Sequence, residues 1–140
     1  MINRSTLRTI ACTTFVATCA FAAGQASAQT VTYTDAQAAR GNDAFKSSCA
    51  KCHGTNATGG EGPPLVGEKF NTDFGGKAAK ALYEKMSNAM PYDEPGTLPK
   101  ETYVIIMAHI LKLNGVPAGA GPLVIDRKST RLNSSHIPLS

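Results

Sequence analysis

Between Gln29 and Ile125 the chain is poor in large apolar side chains. Six Leu, four Ile, five Val and three Phe make up 18 of these 97 residues, and Trp is absent from the whole sequence. That share falls below the one-fifth mark at which burial stops compensating the conformational entropy lost on folding. A single domain of this size with so thin a core needs a disulfide, a metal or a bound apolar group to complete it.

The limits of that segment come from the two ends of the 140-residue chain. Arg4 and Arg8 form a positive n-region, residues 9–23 are mostly small and apolar, and Ala26-Ser27-Ala28 supplies an A-x-A site. Residues 1–28 therefore read as a secretory signal peptide cleaved after Ala28, which places the mature chain in the periplasm. A membrane anchor is the competing reading. It needs roughly 20 strongly apolar residues, and Thr13, Thr14 and Thr18 interrupt the run. Cys12 and Cys19 fall inside the removed segment, and Thr18 is a poor residue to precede a lipidated cysteine.

At the other end, residues 126–136 read DRKSTRLNSSH, the translation of a common sequencing adapter. The expectation is that the authentic chain stops near Ile125 and that residues 126–140 are a disordered, artefactual tail without apolar periodicity. A genuine Ser-rich basic tail is the alternative. The formal charge of +4 belongs to these ends: residues 29–125 hold nine basic and nine acidic side chains. Nucleic acid is thus not implied as a partner, and no membrane span is expected after signal cleavage.

Within 29–125 the punctuation is helical. Thr34-Asp35-Ala36-Gln37 is a capping-box start, which predicts a helix over 35–49 with Ala38, Gly41 and Phe45 facing inward. Gly41 costs about 1 kcal/mol against Ala in a helix interior, so a close approach of another backbone is expected there. Residues 54–76 form a long stretch rich in Gly, Pro, Thr and Asn. A structureless loop of that length is suspect in a compact domain unless it wraps a ligand. A second helix is predicted over 77–88, with Ala81, Leu82, Lys85 and Met86 along one side, followed by the turn-rich segment 91–96. Pro99 opens the last helix. Tyr103, Ile106, Met107, Ile110 and Leu113 make its apolar stripe, widened by Val104 and Leu111. Gly115 caps it and Pro117 ends it. No segment reads as a strand and no internal repeat is visible. The class is all-α.

The missing core material is indicated by Cys49-Ala50-Lys51-Cys52-His53, which is C-x-x-C-H, the c-type haem attachment signature. Thiols three residues apart at a helix end share one face, where they can add to the two vinyl groups of a porphyrin. His53 then projects toward the iron as proximal ligand. Three rivals are weaker. A Cys49–Cys52 disulfide closes too small a loop to compensate the thin core. A thioredoxin-like pair requires a βαβ context that is missing. A zinc site requires four ligands, for which Cys49, Cys52, His53 and His109 are the available side chains.

With these residues in view, the segment from Tyr33 to Gly119 resembles a class I cytochrome c. It is similar in particular to the small cytochromes and cytochrome domains associated with periplasmic quinoprotein alcohol dehydrogenases. The matching pieces are Gly41 and Phe45 ahead of CAKCHG, then GPPLVG (residues 62–67), Met90-Pro91, and the Tyr103 helix ending in residues 113–119. The resemblance implies three to five helices around one covalently attached haem c, held by Cys49 and Cys52, with His53 and Met90 as axial ligands of the iron. Met86 and Met107 are the rivals of Met90, and both lie in predicted helices, where Met is ordinarily a gap filler. His109 is expected at the surface or edge of the last helix. In the family a proline carbonyl accepts from the proximal histidine. Pro63 is the matching position, with Pro64 open because the extra proline departs from the commoner pattern. Leu65, Phe70, Phe74, Leu82, Tyr103, Ile106 and Ile110 are implied as porphyrin walls, and Gly41 and Phe45 are expected to meet the last helix around Tyr103.

Two protein-supplied axial ligands leave no open position for substrate, which favours electron transfer over catalysis. The resemblance implies a periplasmic one-electron carrier between a dehydrogenase or quinol-oxidising complex and a terminal oxidase or similar acceptor, docking at the haem edge near Cys49 and Cys52. Lys46, Lys51, Lys77 and Lys85 are candidates to ring that edge. The alternative is a dedicated cytochrome subunit of a periplasmic dehydrogenase complex. A single C-x-x-C-H argues against a dihaem peroxidase.

Overall fold

A computed structural model of the chain describes residues 31–125 and 136–138. The signal-peptide reading of 1–28 lies outside the described residues, as do residues 126–135 and 139–140. Among the described residues five helices follow one another: α1 (Asp35–Ser48), α2 (Ala50–His53), α3 (Glu68–Phe74), α4 (Ala79–Ala89) and α5 (Lys100–Leu113). Among the described residues there is no strand, only an isolated bridge between Ala78 and His136.

The capping box forms as written: the Thr34 hydroxyl accepts from the Gln37 N–H, and the Gln37 side chain accepts from the Thr34 N–H. Ala38, Gly41 and Phe45 point inward. Gln37 is buried as well, which the capping pattern does not require. Its amide donates to the Leu123 carbonyl at 2.9 Å and accepts from the Leu123 N–H at 2.7 Å, pinning the segment after α5 onto α1. A second tie runs from the Tyr33 hydroxyl to the Val116 carbonyl.

Helix α5 is the centre of the molecule, packed on α1 on one side and on α4 on the other. It is therefore apolar over most of its circumference, with Tyr103, Val104, Ile106, Met107, Ala108, His109, Ile110 and Leu111 all buried. Leu113, expected in the stripe, is 40% exposed. His109, expected at the edge, is buried, because α1 covers the face that would otherwise reach water. Gly41 is the contact point: a Cβ there would lie 1.9 Å from the Ile105 carbonyl oxygen and 3.0 Å from the His109 Cβ. The crossing thus centres on Ile105 and His109, further along α5 than Tyr103.

Two further expectations are corrected. Residues 54–76 are not one loop, since α3 occupies Glu68–Phe74. It starts without a side-chain cap and carries an exposed Lys69–Asp73 pair one turn apart. The inward face of α4 is Ala79, Leu82 and Met86, with Lys85 exposed, so the helix is rotated from the predicted face. Of the tail, residues 136–138 are described. Ile137 is buried, its N–H donates to the Lys77 carbonyl at 3.0 Å, and its carbonyl accepts from the Gly76 N–H at 3.0 Å. An extended tripeptide needs no helical periodicity to meet unpaired backbone groups and seat one apolar side chain.

Candidate haem site

The two thiols and the imidazole are arranged by a break in the helix. Cys49 ends α1 with φ −127° and ψ −32°, its N–H still donating to the Phe45 carbonyl at 2.8 Å. The His53 N–H then donates to the Cys49 carbonyl at 3.0 Å, so the helix resumes after one residue. Cys49 and Cys52 are half-buried and unbridged, while His53 is buried.

The glycine-rich loop then folds back over α2. The Gly59 N–H donates to the His53 carbonyl at 2.9 Å and the Gly62 N–H to the Cys52 carbonyl at 2.8 Å. This return sets the Pro63 carbonyl 2.8 Å from His53 Nδ1, so of the two candidate prolines Pro63 makes the contact. A carbonyl only accepts. Nδ1 is therefore the protonated nitrogen, and Nε2 keeps its lone pair for a metal. A Cβ on Gly62 would sit 2.9 Å from His53 Cε1 and 3.0 Å from Nδ1. The bare backbone at Gly62 is what lets the loop lie against the imidazole and hold its orientation.

Sequence reasoning missed what holds that loop. Asn114, at the end of α5, donates from Nδ2 to the Leu65 carbonyl at 2.9 Å and accepts at Oδ1 from the Gly67 N–H at 3.1 Å. One amide thus spans residues 65–67 of the GPPLVG stretch. Its only signal was a position in the terminal motif, which gave no hint of a partner.

Met90 caps α4: its N–H donates to the Met86 carbonyl at 3.0 Å and its side chain is half-buried. Its carbonyl accepts from the Tyr103 hydroxyl at 2.7 Å. Met86 and Met107 are both buried in the apolar cluster on their helices. Phe70, Leu82, Tyr103, Ile106 and Ile110 belong to the same cluster, with Leu65 and Phe74 packed at its margin and the Phe70 and Phe74 rings 5.1 Å apart.

Burial, with a smaller push from Cys52, raises the Cys49 thiol to about 11. This is the opposite direction from the lowered pKa of a reactive thiol. His109 lies in the seam between α1 and α5, its ring 5.4 Å from that of Phe45. No cluster of three or more His, Cys, Asp or Glu forms among the described residues, and the zinc reading lacks its geometry.

The sequence profile of the family described as "Cytochrome C oxidase, cbb3-type, subunit III" matches residues 36–110, from the first turn of α1 to the last turn of α5. The chain belongs to this family of c-type cytochromes. No curated protein matches it. Among solved structures, the crystal structure of the sulfane dehydrogenase SoxCD from Paracoccus pantotrophus is similar at 21% identity and a TM-score of 0.47. The match covers 65% of the cytochrome and 53% of that chain, so the cytochrome spans about half the length of the chain it resembles.

The cytochrome carries one covalently attached haem c, as its family and single attachment motif imply. The residues present fit that group: two unbridged thiols three positions apart, an imidazole already oriented through Nδ1, and a half-buried thioether at a helix end. No helix among the described residues is long and apolar enough to cross a membrane.

Proposed function

We propose that the cytochrome is a periplasmic one-electron carrier, taking electrons from a dehydrogenase or quinol-oxidising complex and delivering them to a terminal oxidase. In this reading Cys49 and Cys52 would hold the haem covalently, His53 Nε2 and the Met90 sulfur would be the ligands of its iron, and Leu65, Phe70 and Tyr103 would line its pocket. When bound, the group supplies a reversible one-electron couple, with a sulfur ligand that favours the ferrous state.

The protein's own residues do the rest. The Pro63 carbonyl fixes the tautomer and plane of His53. The apolar cluster around Phe70 and Leu82 excludes water. Half-buried Cys49 and Cys52 mark the edge through which a partner is reached over a small transient interface. Lys46, Lys51, Lys77 and Lys85 are exposed and make no ion pair with any described residue, which leaves them available to an acidic partner.

The observation that carries the reading is His53, buried beside both thiols with one nitrogen committed to Pro63 and the other left for a metal. Optical titration of the exported protein tests it. Expected are a covalent haem by mass spectrometry, a weak sulfur-to-iron band in the ferric spectrum, no uptake of carbon monoxide by the reduced form, and elution as a single small species in gel filtration. Ready carbon monoxide binding or a missing sulfur band would overturn the carrier reading. Native co-elution with a dehydrogenase would replace it with a complex subunit.

A further inference from the structure

We propose that the Tyr103 hydroxyl is the positioning group that holds the Met90 thioether in place, a role beyond lining the porphyrin and one that rests on Met90 being the axial ligand. The connection from Met90 to Pro99 is mostly exposed, and its remaining hydrogen bonds are local. Glu94 N–H donates to the Pro91 carbonyl at 3.1 Å, Thr97 N–H to the Glu94 carbonyl at 3.4 Å, and Gly96 N–H to the Met90 carbonyl at 3.4 Å. Such turns shape the loop, whose ties to the body besides Tyr103 are the Met90 N–H on the Met86 carbonyl and Leu98 packed against the core.

The Tyr103 hydroxyl adds a link at both ends of the loop. It donates to the Met90 carbonyl at 2.7 Å and accepts from the Leu98 N–H at 3.4 Å. Its ring is buried in the first turn of α5 and meets Tyr83 edge-on, with centroids 6.3 Å apart and planes at 84°. The hydroxyl therefore cannot follow the loop outward. The short bond fixes the Met90 backbone, and through it the origin of the thioether. Without the hydroxyl, the Met90 carbonyl keeps only the longer Gly96 contact, and the sulfur competes less well with an added ligand.

Imidazole titration of the ferric holoprotein, followed by loss of the sulfur-to-iron band, measures this directly. Tyr103→Phe removes one oxygen and keeps the buried ring. It is expected to bind imidazole about tenfold more tightly, the equivalent of one net hydrogen bond, and to have a lower reduction potential because sulfur ligation favours the ferrous state. Tyr33→Phe is the control. It cuts a comparable tie to Val116, beyond the other end of α5, and is expected to lower the unfolding midpoint while leaving imidazole affinity and potential unchanged.

An unchanged imidazole affinity and potential in Tyr103→Phe, with the sulfur band intact, would overturn the positioning role and leave the Met90 assignment standing. An equal rise in Tyr33→Phe would reduce the effect to general loosening and overturn it too. Absence of the sulfur band from the unsubstituted protein would remove the Met90 assignment and this inference together.

Discussion

His109 Nε2 is buried without a hydrogen-bond partner among the described residues, a state that costs free energy unless something offsets it. The neutral imidazole is partly compensated by packing on Phe45. The charged form is not: burial pushes the group below its ordinary value of 6.5, and Lys46 on α1 and Lys112 on α5 push it the same way. The unfolded chain therefore takes up a proton more readily than the folded one, and stability rises with pH through this window. The contribution of His109 is intact above pH 6.5 and is lost as pH falls from there through the depressed folded value. Urea unfolding of the protein and of His109→Leu at several pH values between 8 and 5 would isolate it. The substituted protein should match or exceed the original near neutrality, and its advantage should widen on acidification. Parallel pH profiles would show that His109 takes up its proton as readily in the folded chain as in the unfolded one.

At the scale of elements, the crossing of α1 and α5 rests on one missing side chain. Gly41→Ala gains about 1 kcal/mol of helix propensity, yet its Cβ would lie 1.9 Å from the Ile105 carbonyl oxygen, a backbone atom that moves only with its helix. Overpacking costs of roughly 1–3 kcal/mol or more outweigh the propensity gain. The expected result is a lower denaturation midpoint and a poorer yield of haem-loaded protein, and an unchanged midpoint would mean that the helices part freely. This close approach was legible in the sequence, because a glycine inside an otherwise strong helix needs a reason. The capping box at Thr34 was legible too, being a local pattern of residue types. Helix α3 was not: it has no capping side chain and no sustained apolar stripe, and Phe70 and Phe74 sit among turn formers. The buried position of His109 was also hidden, since α5 is covered on two sides and its periodicity does not separate an inner from an outer face. Gln37 and Asn114 were missed for a third reason. Each serves a backbone carbonyl and N–H distant in sequence, and no local pattern encodes such a partner.

For the molecule as a whole, electrostatics decides little. The pairs Arg40–Glu101, Lys69–Asp73, Lys80–Glu84 and Lys112–Asp35 are all solvent-exposed, and such pairs each contribute about 0–1 kcal/mol. What closes the fold is burial, and there the tail poses a sharp question. Ile137 is 1% exposed and seated against residues 76–78, which looks like a structural clasp. Burying one isoleucine contributes about 1.5–3 kcal/mol. Ordering the backbone of residues 136–138 costs about 1–2 kcal/mol for each residue, and their few hydrogen bonds return roughly 0.5–1.5 kcal/mol each. The terms cancel to within their spread. A chain ended after Ile125 is therefore expected to fold, load haem and unfold within a few degrees of the full chain, as measured by circular dichroism. It should also show faster amide exchange at Gly76, whose N–H loses its acceptor on Ile137. A collapse of the unfolding midpoint on truncation would instead make residues 136–138 part of the domain and contradict their reading as foreign sequence.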